Sequence, residues 1–200
     1  MVNTVFTRTY CAPDFDKKEI LRYAGVCGEP CELEEILEGC VEEIKTKLVY
    51  KVCYREFPLT RFDGRLDLGF IKTASVGLTK NLAGCESIVL FAATVGMEID
   101  RQIARYATLS PTKALLFQAI GAERIEGLCD AFCRDIAEEK AKIGFKTRPR
   151  FSAGYGDFPL EAQKEIFAVL DCPRKIGLTL NQCLLMSPSK SVTAIIGVGK

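Results

Sequence analysis

The residues best placed to do chemistry are grouped late in the chain. Thr147-Arg148-Pro149-Arg150-Phe151-Ser152-Ala153-Gly154-Tyr155-Gly156-Asp157-Phe158-Pro159 sets arginines on either side of a proline, then small residues and glycines around a tyrosine. A guanidinium grips a carboxylate in a two-pronged way, and a tyrosine face meets a cation. Glycines let the backbone come close to a ligand. The segment therefore suits an anionic or zwitterionic small molecule. The alternative is a loop that is glycine-rich because it turns.

A second group lies upstream. Glu123, Glu126, Gly127 and Asp130 recur at helical spacing and share one stripe, with Arg134 one turn further. Glu126 and Asp130 are like-charged at i,i+4, which costs a few tenths of a kcal/mol in an isolated helix unless a cation stands nearby. Either a ligand supplies that cation, or the stripe is a solvated face on which Arg134 neutralises Asp130. Cysteines form a third group: Cys27 with Cys31 and Cys129 with Cys133 are each spaced to let two thiolates meet one metal. The spacing is not that of common zinc ribbons, and Cys129 and Cys133 also suit burial as small apolar groups. Gly197-Val198-Gly199-Lys200 looks like a fragment of a phosphate loop, but no helix follows it.

These groups need elements to position them. Ser110 and Pro111 open a helix that the pattern carries to about Lys142, with Leu116, Ile120, Leu128, Phe132 and Ile136 on its core face. Its length would be roughly 45 Å, and Gly121 or Gly127 is a candidate bend. Earlier helices are expected over Lys17 to Tyr23, capped by Asp16, and over Glu32 to Leu48; a short one is expected over Ser75 to Leu82. Ser87 to Ala93 is a continuous apolar run that reads as a buried strand, and the chain then turns at Gly96 into a helix bearing Ile99, Ile103 and Tyr106. Further strands are expected over Val49 to Phe57, Leu66 to Ile71, Leu178 to Met186 and Ser191 to Val198, with helices near Leu160 to Leu170 and Pro173 to Gly177. Strands and helices mix without regular βαβ alternation. The expected fold class is α+β with a mostly antiparallel twisted sheet and flanking helices.

Composition narrows the chemistry. The 200 residues contain no histidine, so Ser-His-Asp and Cys-His catalysis and His-ligated metals are excluded. With 27 Lys+Arg against 26 Asp+Glu, there is no basic field for nucleic acid. The opening residues are too polar for a signal peptide and no apolar stretch would span a bilayer, which points to the cytoplasm and to ten cysteines kept as thiols. No linker or repeat interrupts residues 1–200, so one domain is expected.

Several segments together resemble the activation domain of vitamin B12-dependent methionine synthase, which binds S-adenosylmethionine (AdoMet). Arg150-Phe151-Ser152-Ala153-Gly154-Tyr155 resembles that family's R-x-x-x-G-Y. Leu178-Thr179-Leu180-Asn181 and Met186-Ser187-Pro188-Ser189-Lys190-Ser191-Val192 resemble its K-L-T-E and M-x-P-x-x-S-V-S-G runs, and Phe91 to Glu98 its F-A-V-T-x-G-x-E. The order and spacing agree across about residues 85 to 197. The resemblance implies that Arg150 and Tyr155 contact AdoMet with Gly154 shaping the pocket. The family's glutamate would fall on Asp130, with Glu126 one turn earlier as the fallback. It also implies a free-standing activation subunit that supports reductive reactivation of cob(II)alamin on a partner methionine synthase, with a flavodoxin-like donor of low potential. The family's final segment, which carries a tyrosine that closes over the ligand, has no counterpart. The competing readings are a cysteine-rich metal or iron-sulfur carrier using Cys27, Cys31, Cys129 and Cys133, and a reactivation factor for another corrinoid methyltransferase.

Overall fold

The structure, a computed structural model, describes residues 4–26 and 31–200, with the backbone alone at Cys31 and Glu32. Strand β1 (Phe6–Tyr10) leads to helix α1 (Lys17–Tyr23), which starts where Asp16 accepts a hydrogen bond from the Glu19 amide at 3.1 Å. Helix α2 (Cys31–Ile44) is followed by β2 (Tyr50–Pro58) and by the short strands β3 (Thr60–Phe62), β4 (Arg65–Asp67) and β5 (Lys72–Thr73). Next come α3 (Val76–Asn81), β6 (Cys85–Thr94), α4 (Glu98–Leu109), α5 (Pro111–Ala141) and β7 (Lys146–Thr147). A 3-10 turn at Leu160–Ala162 precedes α6 (Gln163–Leu170) and α7 (Cys172–Ile176). Strands β8 (Thr179–Leu180), β9 (Met186–Ser187) and β10 (Ser191–Gly199) complete the order.

Five strands form one antiparallel sheet in the order β1-β2-β6-β10-β7. Strand β6 is central and is covered on both sides, which is why its sequence is a continuous apolar run rather than an alternation. Val89, Phe91, Ala93 and Val95 face a core built with Leu37, Phe117, Leu128 and Phe132, from α2 and α5. Ile88, Leu90 and Ala92 face the opposite core with Leu78, Ile166, Phe167 and Ile176, from α3, α6 and α7. The fold is thus α+β with a curled five-stranded antiparallel sheet and one long helix, as the sequence predicts.

Helix α5 runs unbroken for 31 residues from the Ser110 cap, where the Ser110 hydroxyl accepts from the Lys113 amide at 3.4 Å. Gly121 serves a close approach within it. A Cβ at Gly121 would stand 2.7 Å from Lys190 Cγ and 2.8 Å from Ile99 Cγ2, so α4 and the segment before β10 pack against bare backbone there. One strand falls where no element is expected from sequence, and two expectations are corrected. The opening Phe6–Tyr10 forms an edge strand, paired to β2 from Phe6 opposite Tyr54 to Tyr10 opposite Tyr50. Of Leu66 to Ile71, only Leu66 and Asp67 are in a strand, β4, within a small separate sheet of β3, β4 and β5. Leu178 to Met186 is a hairpin of β8 and β9 rather than one strand, because Asn181 Oδ1 accepts from the Cys183 and Leu185 amides, each at 2.9 Å, and folds the chain back.

Candidate functional site

The site forms where α5 passes the edge of the sheet. After β7 the chain continues along β10: the Arg148 amide donates to the Gly197 carbonyl at 2.8 Å, and Phe151 and Ile195 exchange backbone bonds of 2.9 Å each. This pairing fixes the direction of the Arg150 side chain between its two bonded neighbours. Arg150 Nη1 donates to Asp130 Oδ1 at 2.5 Å, and Nη2 donates to Glu126 Oε2. Sequence positions 126, 130 and 150 are therefore brought into one ion triad. Its side chains stay open to solvent, 25% exposed for Arg150, 41% for Glu126 and 64% for Asp130. Partial burial opposes the Arg150 charge, but the Asp130 hydrogen bond and the neighbouring acids outweigh it and push the guanidinium pKa up.

A groove of about 510 Å3 runs beside this triad, with Asp130 and Cys133 of α5 on one wall, Arg148 to Arg150 on the other and Ile196 at its floor. That volume lies within the range of small-molecule sites. Cys129 is fully buried and Cys133 half-buried, and burial raises both thiol pKa values, against an opposing pull from Arg150.

The loop after Arg150 is held at its far end. Asp157 accepts from Ser75 Oγ at 2.5 Å, from the Val76 amide at 2.5 Å and from the Gly77 amide at 3.0 Å, so its carboxylate closes the first turn of α3. These bonds, that of Ser75 foremost, hold its pKa below the usual carboxylate range. Gly77 is needed beside it, since a Cβ there would stand 3.0 Å from Asp157 Oδ1 and 3.3 Å from Phe151 Cζ. Between the two anchors Gly154 adopts φ +88°, and Tyr155 is 71% exposed with its ring edge-on to Phe151 at 6.0 Å. Tyr155 is thus displayed on a pinned loop.

This fold has a known counterpart. The chain superposes on the crystal structure of the MetH reactivation domain bound to AdoHcy, with a TM-score of 0.68 and 15% sequence identity, over 97% of this chain and 78% of that one. The fold is that of the MetH reactivation domain. No protein-family profile and no curated protein matches the sequence. The likeness to the MetH reactivation domain is accordingly one of architecture, including its sheet and long helix.

Two sequence expectations at the site need correction. Arg134 is exposed and is not the cation that neutralises Asp130; Arg150, twenty residues downstream, is. Glu123 shares the acidic stripe but leaves the site, because it is buried against Arg124 under residues 13–16. Of the four cysteines considered for a metal, Cys129 is buried in the α5 core, whereas Cys27 and the Cys31 side chain lie outside the described residues. Among the described residues no group of three or more Cys, Asp or Glu side chains is arranged to hold a metal ion. Ser75 and Asp157 were not distinguished by sequence. The Ser75-x-x-Leu78 start of α3 signals only the local cap, and Asp157 completes it from 82 positions away.

Proposed function

We propose that this chain binds AdoMet through Arg150, Asp130 and Glu126 and presents its methyl group to a cobalamin held by a partner methionine synthase. The observation that carries the reading is the meeting of these three residues beside an open groove, in a fold whose counterpart binds AdoHcy. One arginine against two acids gives the triad a formal charge of −1. AdoMet, with carboxylate, ammonium and sulfonium, carries +1. The charges fit group by group as well as in sum. Arg150 takes the ligand carboxylate in its fork, and Asp130 and Glu126, released from full pairing with Arg150, take the ammonium. Gly154 and Tyr155 border the pocket.

The chain's share of the reaction is positioning, which needs no acid-base residue and accords with the absence of histidine. Bound AdoMet would supply a methyl group to a cobalamin first reduced by one electron from a flavodoxin-like donor, leaving AdoHcy. Among the described residues no helix is long and apolar enough to cross a membrane. Calorimetric titration tests the reading. Wild-type protein should bind AdoMet saturably and more tightly than AdoHcy, which lacks the sulfonium charge, and Arg150→Ala should weaken binding about a hundredfold. Flat traces for wild type, both alone and with a cobalamin-loaded methionine synthase, would overturn it.

A further inference from the structure

A second cavity adjoins the groove. It measures about 230 Å3, and Thr147 and Arg148 line both spaces. Its remaining walls are Gly84, Lys146, Gly199 and Lys200. Three residues of positive charge, all exposed to solvent, thus line one small space that no acidic side chain lines. Nor does Lys146, Arg148 or Lys200 form an ion pair among the described residues. Three exposed like charges repel one another weakly in water, and an anion seated among them would relieve that repulsion.

The cavity is also built rather than left over. Arg148 is held in place from three directions. Its amide bonds to Gly197, its Nη2 donates to the Ala83 carbonyl at 3.0 Å, and its stem lies over Gly197, where a Cβ would stand 3.3 Å from Arg148 Cγ. One donor anchors the guanidinium, and Nε and Nη1 make no side-chain hydrogen bond. The opposite wall depends on bare backbone, since a Cβ at Gly199 would meet the Gly84 carbonyl oxygen at 2.3 Å. A pre-positioned guanidinium with spare donors, flanked by ammonium groups, matches the geometry and charge of a tetrahedral oxyanion.

We propose that this cavity is a phosphate-binding site, distinct from the Arg150 triad. Arg148 supplies its remaining guanidinium N–H groups and Lys146 and Lys200 supply neutralising charge. Free phosphate and a phosphomonoester on a larger molecule share the chemistry. The test is an amide-resonance titration of the full chain with inorganic phosphate and, separately, with glycerol phosphate, each against sodium chloride at equal ionic strength.

Saturable shifts confined to Gly84, Lys146 to Arg148 and Gly199 to Lys200 are expected. Arg148→Gln should weaken binding about tenfold, a change of about 1.4 kcal/mol. Lys146 is exposed on a two-residue strand, so Lys146→Gln leaves the fold intact and should weaken binding severalfold. Tighter glycerol phosphate would assign the site to an organic phosphate, and tighter inorganic phosphate to the free ion. Shifts that chloride reproduces, that fail to saturate with both phosphates, or that Lys146→Gln leaves unchanged would overturn the site. The titration contains no AdoMet, so its failure leaves the function proposed for Arg150 untouched.

Discussion

The acidic stripe of helix α5 meets an arginine at two places, and the two clusters have opposite fates. At its middle, Glu123 and Arg124 are sealed, with side-chain exposures of 7% and 1%. Arg124 donates to Glu123, to the Pro13 carbonyl at 2.6 Å and to the Asp14 carbonyl at 2.7 Å, while Phe15 lies against its guanidinium at 4.0 Å. Two turns on, roughly 10 Å along the axis, Asp130 and Glu126 meet Arg150 in the open. The residue types are alike and the cover is not. The segment before α1 closes over the first cluster and uses its arginine as a clamp, whereas the second lies at an uncovered groove. An ion pair with every donor committed holds structure; one with accessible groups can exchange its partners for a ligand.

The comparison breaks first at Arg124. Arg124→Ala leaves Glu123 buried without its partner and frees the carbonyls of Pro13 and Asp14. It should cost about 3 to 5 kcal/mol of unfolding free energy. In a domain of this size that lowers Tm by about 10 °C. Urea unfolding monitored by circular dichroism measures it, and a loss below about 1 kcal/mol would mean the clamp is incidental. Arg150→Ala should do the reverse. Exposed pairs contribute about 0 to 1 kcal/mol to stability, so Tm should hardly move. AdoMet affinity should nonetheless fall about a hundredfold, or about 2.7 kcal/mol. Equal effects of the two variants on stability would erase the distinction between clamp and site.

The stripe itself was legible in sequence, because helical spacing puts positions 123, 126 and 130 together whatever covers them. Which part would be covered was not, because the cover comes from residues more than a hundred positions away. The same limit applies to the sheet. Strand β6 declares itself as an apolar run buried on both faces, but β1 is an edge strand whose Thr7, Arg8 and Thr9 look like a polar leader. Arg8 pairs with Glu139, and Tyr10 donates to Asp135 at 2.7 Å, so long-range partners on α5 hold that edge. The hairpin at Asn181 was missed for a local reason: its turn puts Leu184, a bulky residue, at φ +62°, a position that sequence patterns reserve for glycine or asparagine.

A smaller effect separates the pinned loop from a loop that merely turns. Gly154→Ala places a Cβ in the left-handed region, 3.0 Å from Leu160 Cδ1, and should cost about 1 to 2 kcal/mol. It should also weaken AdoMet binding by displacing Tyr155. Gly156 has positive φ as well, yet a Cβ there meets nothing within 4 Å. Gly156→Asn should therefore be tolerated in thermal melts, since asparagine accepts that conformation. If both variants behave alike, crowding at Gly154 has no part in setting the loop.

The smallest effect concerns the far anchor and is read from its change with pH in acid. Because the bond from Ser75, followed by those from the Val76 and Gly77 amides, holds the Asp157 pKa down in the folded chain, folding binds fewer protons at this group than the unfolded state does. Its contribution is complete above the unfolded value of about 3.9 and is lost as pH falls through the lower folded value. Thermal melts of wild type should thus decline more steeply below about pH 4 than those of Asp157→Asn, which begins lower at pH 7 and has no proton to gain there. Other carboxylates titrate in both proteins and cancel in the difference. A difference between the two proteins that stays constant from pH 7 to below pH 3 would mean that Asp157 anchors the loop by shape alone, and that its negative charge at the start of α3 contributes nothing.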